Sequence, residues 1–242
     1  VPFAFNSGEW VTTIARSGDF LYAYTSEDDL QVIDISNPLL PTIKGAINLG
    51  DDIAPYEDVE VFDGYAFVAH TTGLTVVDIH DPENPLLAGV LQTLTFASRL
   101  ALGPGTAFIA DMDCLRVIDI QNPAQPLEAG TYESAAYATD ISLIGQYAYL
   151  TGVGRYMDLY DVSNPLQPSR VKRNRDYPWN QILPYTNKIA YTYGGSENIG
   201  IIDMTDPVNP EILSQITTQS VYDLKIADSY MYAVEMSSKF LV

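Results

Sequence analysis

The chain has 242 residues, 47% of them hydrophobic, with 17 tyrosines and a mean hydropathy of +0.01, a composition that supports a substantial core and excludes a disordered segment. Its 31 acidic against 12 basic residues give a formal charge of −19, which repels the phosphates of nucleic acid and of anionic lipid, so neither nucleic-acid binding nor membrane insertion is expected. No apolar run reaches the roughly 18 residues of a membrane-spanning helix, and the single cysteine, Cys114, excludes a disulfide framework and a multi-thiolate metal site.

Along the chain, short apolar or alternating runs recur in a fixed order. The first period carries "DFLYAYT" (19–25), "VIDISNPLLP" (32–41) and "PTIKG"; the second carries "EDVEVFDG" (57–64), "GYAFVAH" (64–70), "VVDIHDPENP" (76–85) and "PLLAG". The third has "GTAFIAD" (105–111), "VIDIQNPAQP" (117–126) and "PLEAG", and the fourth has "TDISLIGQ" (139–146), "GQYAYLT" (145–151) and "LYDVSNPLQP" (159–168). The fifth has "NKIAYTY" (187–193) and "IIDMTDPVNP" (201–210), and the sixth has "YDLKIADS" (222–229) and "DSYMYAV" (228–234). The aspartates of the Pro-ended phrase, Asp34, Asp78, Asp119, Asp161 and Asp203, are spaced by 44, 41, 42 and 42 residues, the beat of one supersecondary unit stacked in tandem.

Each period reads as four strands, A to D, with turn-forming A–B links ("RSGD", "FDGY", "GPGT", "YTNK") and no sustained helical spacing. Four-stranded antiparallel units repeated in this way predict an all-β, six-bladed β-propeller, one domain over residues 1–242. The terminal "KFLV" (239–242) matches the start of a strand C and "VPFAFNSG" (1–8) matches a strand D, so the N-terminal strand is expected to close the last blade. A piece of a longer repeat array would have the same ends. The chain opens on Val1 with no basic, apolar leader, so a targeting segment is expected to have been removed or to lie outside this sequence.

An aspartate that recurs once per unit is read as structural, its carboxylate taking backbone N–H groups of the turn that follows or of a neighbouring blade. The prolines pre-set φ where no ladder donor is needed. The phrases "VIDISNP" and "DVEVFDGYAFVAHTTGLTVVDIHDPENP" resemble the LVIVD repeat, and that resemblance implies a bacterial or archaeal β-propeller that is secreted or on the cell surface. It implies no catalytic residues. The fourth period departs from the pattern, with "PSRVKRNRDYPWNQ" in place of the usual Pro-x-x-x-Gly strand.

Function is sought where the repeat is broken, in the B–C and D–A loops of one face. The start of strand A places Asp58, Arg99, Asp140, Asn180 and Asp223 at a channel mouth, with Tyr56, Phe96, Tyr137, Trp179 and Tyr222 just upstream as stacking or anchoring aromatics. A basic run, Arg170, Lys172, Arg173 and Arg175, breaks the acidic background and is assigned to a protein partner or to self-assembly, the alternative being that Arg170 and Lys172 guard an outer edge strand against edge-to-edge aggregation. The leading expectation is a non-catalytic extracellular scaffold that displays loops to another protein and takes no cofactor. A second reading is a carbohydrate-binding or carbohydrate-cleaving site, with two of Asp58, Asp140 and Asp223 as acid and base and Arg99 on an anionic sugar.

A third reading is a Ca²⁺-dependent adhesive module using Glu27, Asp28, Asp29, Asp51, Asp52, Glu57, Asp58, Asp111 and Asp113, although no EF-hand or RTX spacing is present. His70 and His80 are expected on different faces. No nucleophile elbow, P-loop, GxGxxG or HExxH motif occurs.

Overall fold

The structure, a computed structural model, describes residues 11–25, 29–50, 58–92, 97–154, 156–174, 181–186, 188–193, 198–218, 221–227, 230–235 and 240–241. Among these there is no helix. The chain divides into two compact units: Val1–Ile109 with Val117–Ala129, and Ala110–Arg116 with Gly130–Val242.

The first unit holds two four-stranded antiparallel sheets, β1(Val11–Ser17), β2(Phe20–Thr25), β3(Asp29–Asp34), β4(Thr42–Asn48) and β5(Asp58–Phe62), β6(Tyr65–His70), β7(Gly73–Asp78), β8(Leu86–Gln92). These are the four runs of periods one and two. The turn at Asp63 and Gly64, φ 50° and 77°, has the left-handed pair that matches hairpin twist. The third period follows on β9(Ala97–Gly103), β10(Thr106–Asp119) and the start of β11(Leu127–Ile144).

Residues 111–114 and 132–140 fall within the bounds of β10 and β11. β10 nevertheless reverses direction. Arg116 Nε lies 2.8 Å from Asp111 Oδ2, whereas five residues of straight strand span about 16 Å. The fold-back falls at Met112, whose φ is 39°.

The second unit continues with β11, β12(Tyr147–Gly152), β13(Tyr156–Asp161) and β14(Ser169–Asn174), then β15(Gln181–Pro184), β16(Ile189–Tyr193), β17(Asn198–Asp203), β18(Glu211–Thr217) and the three-stranded β19(Val221–Ala227), β20(Tyr230–Glu235), β21(Phe240–Leu241). β11 begins in the first unit and continues in the second, where Ala138–Ile144 pairs with β12. The expected closing strand, 1–8, lies outside the described residues.

Strands B and C are buried on both faces, as in Ala66–His70 and Gly73–Val77, because each sheet is covered by its neighbours. In the first unit Phe67, Leu74 and Val76 pack with Leu100, Ile109 and Ile118. In the second, Tyr149, Met157 and Leu159 pack with Ile182, Ala190 and Ile202. Each such side chain contributes about 1.5–3 kcal/mol by leaving water. In periods one, two, four and five strand D (β4, β8, β14, β18) is the edge of its sheet and is largely exposed. Its pairing with strand C carries a register shift, between Val32 and Ile33, Val76 and Val77, Leu159 and Tyr160, and Ile201 and Ile202.

Candidate functional site

The recurring aspartates do the same local work in every period. Asp34, Asp78, Asp119, Asp161 and Asp203 each accept the backbone N–H of the residue two positions on, at 2.7–3.0 Å. The bonds from Ser36, His80, Ser163 and Thr205 hold the carboxyls of Asp34, Asp78, Asp161 and Asp203 below the usual carboxylate range. These groups are committed to the turn.

At the start of strand A, side chains tie one sheet to the next. In the first unit, Asp58 Oδ2 accepts the Leu100 N–H at 2.9 Å, and its Oδ1 receives the Thr13 hydroxyl at 3.4 Å. Arg99 Nη1 stands 3.8 Å from Asp58 Oδ1. In the second unit, Asp140 Oδ2 accepts the Ile182 N–H at 3.3 Å, and the Ser142 hydroxyl donates to the Ile182 carbonyl. Asp58–Leu100 and Asp140–Ile182 each span 42 residues, one period, so the stitch made in period two is repeated in period four.

The pairing of β15 with β16 sets Gln181 opposite Tyr193, the place Asp58 takes opposite Ala69. Gln181 is thus the register counterpart in the fifth period; Asn180 lies outside the described residues, as do Tyr56, Phe96, Trp179 and Arg175. Asp223 and Tyr222 lie on β19, and Tyr137 is exposed on β11. Of the acidic loop residues, Glu27, Asp28, Asp51, Asp52 and Glu57 are also outside. Among the described residues no group of three or more His, Cys, Asp or Glu is placed to hold a metal ion. His70 is buried, its ring nitrogens 2.9 Å from the Thr72 hydroxyl and 3.0 Å from that of Thr75, while His80 is exposed in a C–D turn beside Asp78.

The departure in period four has a built interior. β14 is an edge strand, and Val171 is left out of its pairing because Leu159 faces Lys172 while Tyr160 faces Arg170. That extra residue puts Arg170 and Arg173, three apart, on one face with Asp158 and Tyr160. Asp158, fully buried, accepts Arg173 Nε at 2.9 Å and Nη2 at 2.8 Å, and the Tyr156 hydroxyl at 2.7 Å. This fork-on-carboxylate geometry raises the Arg173 pKa, its hydrogen bond to Asp158 being the largest cause. The Glu133 carbonyl receives Arg170 Nη1, Arg173 Nη2 and the Tyr160 hydroxyl at 3.1–3.2 Å. Burial raises the Tyr160 pKa, so its phenol keeps the proton it donates.

Lys172 points the other way. Its Nζ donates to the Val208 carbonyl and to Asn209 Oδ1, both at 2.8 Å.

The LVIVD repeat model matches residues 11–48, 56–93, 97–134 and 135–174, well over half of the chain. The chain belongs to the LVIVD repeat family. No curated protein matches it in sequence. Among solved structures, this LVIVD protein is similar to a protein from Lactobacillus plantarum at 16% identity, over 96% of this chain and 83% of that one, with a TM-score of 0.77. It is also similar to the β-propeller domain of Cps50 (Swd1) from Myceliophteria thermophila (11% identity, 94% and 80% covered, TM-score 0.71) and to Saccharomyces cerevisiae Sqt1 (10%, 93% and 69%, 0.71). At these identities the likeness concerns fold, and the fold is a β-propeller.

The sequence pattern passed over Asp158 in the LVIVD chain. Its signal was a polar position three residues before the recurring aspartate, filled by Gln31, Thr75, Arg116, Asp158 and Gly200 in successive periods. Only in period four does a carboxylate there face a basic strand D.

Proposed function

We propose that this chain is a non-catalytic, extracellular or cell-surface interaction scaffold that presents its B–C and D–A loops to a protein partner. The observation that carries this reading is the fate of the carboxylates: Asp58 and Asp140 each accept a backbone N–H of the next sheet, as parts of the frame. The recurring turn aspartates are engaged in the same way. What remains to vary without cost to the core is the loop face, and membership in a repeat family of propellers fits a display role.

The test is affinity capture from an envelope extract of the source organism, with variants of the loops. Loss of a specific, identified partner on substitution of Trp179 or of residues 218–220 between β18 and β19, with an unchanged melting temperature, is the expected result. A glycan-array signal abolished by Arg99→Ala and Asp140→Ala would replace it with the carbohydrate reading.

A further inference from the structure

We propose that the face of β14 carrying Arg170 and Arg173 is a carboxylate-recognition site for an acidic, extended polypeptide segment of a partner. This rests on the reading of the chain as an interaction scaffold and names the chemistry of one partner.

Two guanidinium groups meet at one carbonyl oxygen, that of Glu133. Among the described residues, Asp158 is the one carboxylate within ion-pair distance of either, so the pair of arginines carries an excess positive charge on a molecule of formal charge −19. Like charges converge at a surface when an anion is to be held there. Donors are also left over. Arg173 spends Nε and Nη2 on Asp158 and Glu133, and Arg170 spends Nη1 on Glu133. Arg173 Nη1 makes no hydrogen bond to a described residue, while Arg170 also meets the Tyr160 side chain. The Arg173 and Arg170 side chains are 26% and 43% exposed, so both are open to solvent in part.

The site is pre-organised. Asp158, with no exposed surface, clamps Arg173 in a two-point grip, and Arg173 lies over the Tyr156 ring at 5.9 Å. Little side-chain freedom is left to lose when an anion arrives. The slot is particular to period four: the position of Arg170 is held by Ile43, Leu87 and Ile212 in periods one, two and five. A polypeptide is favoured over a free small acid because β14 is a sheet edge, where an extended segment gains main-chain hydrogen bonds while its carboxylates meet the guanidiniums.

Isothermal titration of the full chain with a blocked hexaglutamate peptide at low ionic strength tests the proposal. The expected result is saturable binding that falls tenfold or more in Arg170→Ala and weakens steeply in 0.3 M NaCl, with hexaglutamine silent. Arg170→Ala keeps the Asp158–Arg173 clamp, and an unchanged melting temperature confirms that it folds. No saturable binding, equal binding by Arg170→Ala, or equal binding of hexaglutamine overturns the proposal. So does free glutamate binding as tightly as the peptide, or self-association of the chain abolished by Arg170→Ala, which assigns the face to a small acid or to a second copy. The probe needs no native partner, so a silent titration leaves the loop-face reading standing, and a failed capture experiment leaves this site standing.

Discussion

The ammonium of Lys172 rests on the carbonyl oxygen of Val208, at 2.8 Å, in the turn of the following period. It stands where Gly45 and Gly89 stand in the first two periods, and there a Cβ would lie 2.6 Å from the Pro82 oxygen and 2.4 Å from the Pro123 oxygen. Strand D therefore touches the next turn in two ways: bare backbone where glycine is present, and a long charged arm where it is not. Gly45→Ala and Gly89→Ala should each cost about 2 kcal/mol, because backbone must move to admit the methyl group. Lys172→Met should cost about 1 kcal/mol through its lost hydrogen bonds. Urea midpoints at constant m-value check both, and a stabilised glycine variant would show that the two segments are not in contact.

The stitches of strand A yield a second expectation. Asp58→Ala and Asp140→Ala each strand a backbone N–H, of Leu100 and of Ile182, at a cost of about 1–2 kcal/mol. The Asn variants keep an acceptor oxygen and should lose less. Thermal unfolding ranks them, and an Asn variant as unstable as its Ala partner would point to charge in place of hydrogen bonding.

His70 makes stability depend on pH. Burial pushes its pKa from 6.5 down to about 4, so the unfolded chain binds the proton more readily. The contribution of neutral His70 is complete above pH 6.5, is lost progressively as pH falls to about 4, and amounts to roughly 2–3 kcal/mol. His70→Asn should flatten the stability curve in that window. The turn aspartates act lower: with pKa values held below the usual range, their contribution is present above about pH 4 and fades as pH falls further. Denaturant midpoints from pH 8 to 3 separate the two phases.

Removing one partner of the buried clamp is costly. Asp158→Ala leaves the Arg173 guanidinium without its carboxylate and Tyr156 without its acceptor, and should cost about 2–4 kcal/mol. The double variant Asp158→Leu, Arg173→Met should recover more than half of that. Purely additive losses would mean that the two residues act independently.

The period was legible because the same backbone problem is solved in the same letters. Asp34 and its four successors announce a turn that takes an N–H two residues on, and the structure shows that bond each time. Register was less legible. Asn180 and Gln181 are adjacent polar residues, and only the pairing of Gln181 with Tyr193 tells which takes the place of Asp58. The fold-back at Met112 is so tight that β10 runs on both sides of it. The Asp158 clamp escaped because residues 15 apart, joined only when β13 pairs with a bulged β14, leave no local pattern.

The Asp–Asn–Pro turns have one more consequence, for how the chain is made. Asp81 bonds the amides of Glu83 and the side chain of Asn84, and Asp206 does the same for Val208 and Asn209. Every partner is two or three residues away, so the corner between strands C and D closes without waiting for any distant segment. A ribosome releasing this polypeptide delivers each corner ready-made, and growth can proceed unit upon unit while the remainder is still being synthesised.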